Sequence, residues 1–155
     1  MGFKLCLVWL VSVLASVSSL AQPRAPTDIE LKAGYCLGVA KSQIDIVPHG
    51  DFPIHVQTQL DKFQAEATDR SNRLKAYLVP KLDVVDFTGI FAANSRAKVD
   101  VDLSRNDPEV TACILQCLDK SIAKDRLETC TKTCTSGIER YSRIESCKIL
   151  NWLPF

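Results

Sequence analysis

Five cysteines near the C-terminus, Cys113, Cys117, Cys130, Cys134 and Cys147, spell C-x3-C-x12-C-x3-C-x12-C. This spacing constrains the fold more than any other feature of the 155-residue chain. Residues four apart on a helix project from one face, one turn above each other. Two cysteines placed so serve a neighbouring helix better than each other. An antiparallel neighbour reverses the order, which nests the pairs: Cys113 with Cys134, and Cys117 with Cys130. The x12 interval leaves room for a short turn between two helical segments. Cys36 and Cys147 then pair by elimination, tying the start of the chain to its end. A weak echo accompanies the spacing, since Arg126-Leu127-Glu128-Thr129-Cys130 is repeated in kind by Arg143-Ile144-Glu145-Ser146-Cys147.

Disulfides require an oxidising compartment, and the N-terminus supplies a route to one. Lys4 precedes the apolar run Leu5 to Val17, and Ser19-Leu20-Ala21 offers small residues before Gln22. Residues 1–21 therefore read as a signal peptide cleaved after Ala21. The run is too short for a spanning helix, which needs roughly 20 residues, and no later stretch is apolar enough to span. Cleavage removes Cys6 and leaves six cysteines. The expected location is the periplasm or the extracellular space.

The whole chain carries 19 Lys and Arg against 18 Asp and Glu. Losing Lys4 makes the mature chain near neutral, without the basic excess of a nucleic-acid binder. A neutral balance also weighs against membrane attack. At 46% hydrophobic residues the chain is too apolar for a disordered tail.

The mature chain reads as one helical domain over residues 22–155, with a long helical hairpin over residues 28–104 followed by a cysteine-rich hairpin and apolar tail over residues 107–155. Thr27 and Glu30 fit a capping box ahead of a helix over 28–46, with Ile29, Ala33, Cys36, Leu37, Ala40, Ile44 and Val47 at helical spacing. Gly34 and Gly38 lie four apart on one face and would admit another backbone closely, at a cost of up to ~1 kcal/mol each in helix propensity. The run from Pro48 to Pro53 breaks that helix. Val56, Leu60, Phe63, Ala67, Arg70, Leu74 and Tyr77 then form a heptad stripe, read as the face that packs on the first helix. Pro80 should split this second helix. Val84 to Asn94 can continue helical, while Val99, Val101 and Leu103 alternate with charged residues, which suggests a frayed helix or extended linker. Asp107-Pro108-Glu109 is a strong helix start. Ser136 and Glu139 fit a second capping box.

The twin C-x3-C hairpin is similar to that of the small Tim chaperones of the mitochondrial intermembrane space, and to that of the plant alpha-hairpinins. The likeness covers residues 113–134. It consists of cysteine spacing and helix propensity, and no function is carried over from it.

Four cysteines in pairs could ligate zinc, but oxidation is favoured in an exported chain. His49, Asp51 and His55 lie within seven residues and could meet a metal's ligand count. Their proline-bounded setting reads instead as turn chemistry, so no metal and no cofactor are expected. The chain has no G-x-S-x-G, H-E-x-x-H or phosphate loop, and no catalytic residue is assigned. In the tail, Trp152 and Phe155 are the candidate anchors for an unidentified protein partner, against the alternative that the tail docks on its own helices. The expected function is that of an exported, non-catalytic binding or scaffold protein. A secreted effector or defence-type protein is the alternative, and a small hydrolase or metal enzyme the third.

Overall fold

The computed structural model describes residues 22–47, 50, 53–119 and 124–154. Among them the chain forms six α-helices and no strand: α1 (Asp28–Asp45), α2 (Ile54–Leu78), α3 (Phe87–Arg105), α4 (Pro108–Asp119), α5 (Lys124–Thr135) and α6 (Glu139–Glu145), with a single 3-10 turn at Val79–Lys81. The signal peptide expected over residues 1–21 lies outside the described residues. No helix among the described residues is long and apolar enough to cross a membrane.

α1 begins where the capping box places it. The Thr27 hydroxyl accepts from the Glu30 amide, and the Glu30 carboxylate accepts from the Thr27 amide at 2.8 Å. These bonds satisfy donors that a helix N-terminus leaves open. Glu30 has a second task. Arg24 donates to it through both terminal nitrogens, one bond at 2.8 Å, although the carboxyl group is buried. Arg24 is itself fixed by backbone bonds to the loop before α3, with its amide donating to Val84 and its carbonyl accepting from Asp86. One buried glutamate thus links the N-terminal segment, α1 and the α2–α3 loop.

Burial alone would push the Glu30 carboxyl up. The Arg24 hydrogen bonds, helped by those of Thr27, hold it down to about 2. A carboxyl whose folded value lies below its unfolded value of 4.5 stabilises the fold above that value and loses the contribution as pH falls through the folded one. Arg24 is half exposed, so solvent screening reduces the effect to about 1–3 kcal/mol. Denaturant midpoints should therefore fall between pH 4.5 and pH 2 by more in the native chain than in Glu30→Gln. Equal slopes for the two would remove the role assigned to Glu30.

α1 packs against both α2 and α3, and α6 packs against α3. The core joins Ala33, Cys36 and Val39 of α1 to Leu74 and Leu78 of α2, Ile90, Ala97 and Val101 of α3, and Cys147, Leu150 and Leu153 near the C-terminus. Helical segment 28–104 thus reverses twice, once between α1 and α2 and again after Pro80. Pro80 lies in the 3-10 turn that ends α2, because a proline cannot donate in a helix interior.

Two glycines set the spacing of α1 and α3. A Cβ on Gly34 would meet the Ile90 carbonyl oxygen at 2.8 Å, and one on Gly38 would meet the Asn94 carbonyl oxygen at 2.4 Å. The close approach that the glycine pair admits is made by α3. The Asn94 side chain bonds the Gly34 carbonyl at 3.2 Å across the same crossing.

Three local expectations change. Of the heptad stripe of α2 only Ala67 and Leu74 are buried; Val56, Leu60, Arg70 and Tyr77 are half-buried and Phe63 is exposed, while Ser71 and Leu78, beside the stripe, complete the buried face of the C-terminal half. The Val99–Leu103 alternation is helical: Val101 enters the core while Val99 and Leu103 face out, since the continuing turn of α3 outweighs a strand pattern with no strand beside it. The second capping box does not form. Ser136 donates to the Thr133 carbonyl instead, and Gly137, at φ +78°, ends α5 in the left-handed conformation that suits glycine.

Candidate functional site

Three disulfides join Cys36 to Cys147, Cys113 to Cys134 and Cys117 to Cys130. The latter two are nested across the antiparallel hairpin of α4 and α5. The sulfurs of Cys113, Cys117 and Cys134 lie within 4.8 Å of one another, and those of Cys117 and Cys134 are 3.8 Å apart. A metal needs thiolates, and sulfurs joined in disulfides offer none. This cluster is a covalent staple.

Asp107 starts the hairpin by accepting from the amides of Glu109 and Val110, both at 3.1 Å. It also pairs with Arg140 of α6. The Tyr141 hydroxyl donates to the Ser104 carbonyl at 2.6 Å. These contacts fasten the junction of α3 and α4 to α6.

Beside Cys36 and Cys147 lies a buried polar network. Asp100 of α3 is buried and accepts from the Tyr35 hydroxyl at 2.8 Å. The same carboxyl oxygen accepts from Arg143 Nε at 3.1 Å and Nη2 at 2.9 Å. Arg143 also pairs with Glu139 one turn away. Burial, reinforced by the bond to Asp100, pushes the Tyr35 hydroxyl up to about 12, and the Asp100 hydrogen bond raises the Arg143 guanidinium above its ordinary value. The tyrosine therefore stays a neutral donor and the arginine a cation at any ordinary pH. The network is structural glue among α1, α3 and α6. Asp100→Ala should cost about 2–4 kcal/mol, because it leaves a buried hydroxyl and a partly buried cation short of a partner. Asp100→Asn, which keeps the shape, should cost less. Thermal melts of both variants check the order.

The expected anchors of the tail divide. Leu150 and Leu153 enter the core, and Trp152 packs partly buried against it. Lys32 of α1 sits over the indole at 4.5 Å. The indole Nε1 is buried without a hydrogen-bond partner among the described residues. Phe155 lies outside the described residues. Of the histidine loop, His49 and Asp51 also lie outside them. His55 is exposed in the first turn of α2.

The feature that sequence reasoning missed is a cleft of about 190 Å³ where α1, the end of α2 and the start of α3 meet. Leu37, Leu78, Leu82, Phe87, Ile90 and Phe91 form its walls, with Lys41 and Lys75 beside them. Phe91 is 70% exposed, Val79 57% and Leu82 47%. Its apolar residues lie apart in sequence and only the second chain reversal brings them together, so no local pattern marks them.

Compared with protein-family models, curated proteins and solved structures, the chain matches none.

Proposed function

We propose that this chain is an exported, non-catalytic binding or scaffold protein. The observation that carries the reading is the set of three disulfides, one of which closes the chain across 111 positions. Such bonds persist in oxidising compartments and are rare where thiols are kept reduced, which supports the periplasm or the extracellular space together with the leader read over residues 1–21. The helices are held by covalent staples and buried ion pairs, an arrangement suited to presenting fixed surfaces. The assigned ionisable groups near the core, Glu30, Tyr35, Asp100 and Arg143, are occupied in holding helices together.

The test is in-situ cross-linking in the native compartment, followed by recovery of the chain and its intact mass. The expected result is a chain starting at Gln22, six hydrogens lighter than its reduced form, with a reproducible cross-linked partner absent when the chain has been reduced and alkylated. A chain retaining Leu5 to Val17, or recovered with free thiols, contradicts export and oxidation. Turnover of a substrate by the purified chain contradicts the non-catalytic reading.

A further inference from the structure

We propose that the cleft between α1, the end of α2 and the start of α3 binds a free fatty carboxylate, with the acyl chain between the helices and the head group met by Lys41 and Lys75. The inference rests on the reading of the chain as a binding protein and names a ligand for it. Large apolar side chains are normally exposed singly; a cluster beside a cavity marks an interaction site. Here Val79, Leu82 and Phe91 are exposed side by side along the opening, and Leu37, Leu78 and Ile90 continue the apolar surface inward. The cleft measures about 190 Å³, below the roughly 300–1,000 Å³ that holds a drug-sized molecule. A slim alkyl chain suits it better than a fused-ring compound.

Charge selects the head group. The lining includes Lys41 from α1 and Lys75 from α2, and no Asp or Glu. Neither lysine forms an ion pair among the described residues. Two unpaired ammonium groups flanking an apolar slot complement an anion with an apolar tail. Lysine presents a compact charge on a flexible stem and meets a carboxylate without demanding one fixed geometry. The amide of Asn94, which also lines the cleft, donates one of its two N–H groups to the Gly34 carbonyl.

The experiment is calorimetric titration of the oxidised mature chain with decanoate, and with decyltrimethylammonium as a probe of equal chain length and opposite charge, both kept below micelle formation. Decanoate should saturate one site and bind about tenfold more tightly than the cationic probe, the scale of two solvent-screened charge pairs. The exposed pair Lys41→Gln/Lys75→Gln should abolish that preference. Phe91→Gln, on a side chain exposed enough to spare the fold, should weaken both probes alike. Absence of saturable decanoate binding overturns the proposal, as does equal binding of the two probes or an unchanged preference in the double lysine variant. A cross-linked partner persisting without decanoate binding would sink the cleft's ligand and leave the binding-protein reading standing.

Discussion

Replacing Cys36 and Cys147 together by alanine lowers the unfolding free energy by about 4–5 kcal/mol, the largest loss expected from any one site. The bond closes a loop with a sequence separation of 111, and in the chain-entropy model the restraint on the unfolded chain grows with loop length. The nested bonds span only 21 and 13 positions, for which the same relation gives about 3 kcal/mol each. Both cysteines are almost fully buried, so serine replacements would add unsatisfied hydroxyls and alanine is the cleaner variant. The effect should also be local. Leu150, Trp152 and Leu153 follow Cys147 directly, and their contacts with the core lose their anchor. Hydrogen exchange should rise first in residues 139–154, while the hairpin of α4 and α5 stays oxidised. A loss under 1 kcal/mol in denaturant unfolding would mean that noncovalent contacts of α6 and the tail already hold the ends together.

Gly38→Ala should destabilise by about 2–3 kcal/mol, against the gain that helix propensity predicts. Alanine in an open helix position is favoured over glycine by about 1 kcal/mol. At Gly38 the new Cβ would stand 2.4 Å from the Asn94 carbonyl oxygen and 2.8 Å from the Ala97 Cβ. One obstacle is backbone, so α1 and α3 must separate, and overpacking of this kind costs typically about 1–3 kcal/mol. Gly137 is the comparison. Nothing lies within 4 Å of a Cβ there, and only its φ of +78° resists a side chain, which costs about 1–2 kcal/mol. Gly137→Ala should therefore do less harm than Gly38→Ala. If Gly38→Ala raised the melting temperature, the close crossing of α1 and α3 would be wrong.

The all-helical class and the stapled hairpin are legible in the sequence because they depend on short-range spacing. Residues four apart share a helix face whatever the rest of the chain does. The start of α1 is legible for the same reason, since Thr27 and Glu30 act within one turn. What escapes is information carried between distant segments. Asp100 looks like an ordinary solvated carboxylate beside two valines. Only once α3 is known to run unbroken does its position, three residues after buried Ala97, place it on the core face with Arg143 as its partner. The burial of Glu30 likewise depends on Arg24 being held by the α2–α3 loop. The heptad stripe of α2 promises a full-length buried face, but α1 has 18 residues against 25 in α2, and the N-terminal half of α2 is left largely uncovered. The lysine-flanked cleft is the least legible feature, as its residues come from three helices and the turn after Pro80.

Non-reducing peptide mapping of the chain, isolated from its native source under thiol-blocking conditions, tests the stapled helical scaffold most directly. The expected fragments are linked 36 to 147, 113 to 134 and 117 to 130. A bond between Cys113 and Cys117, a bond between Cys130 and Cys134, or six alkylated thiols in the isolated chain would contradict it.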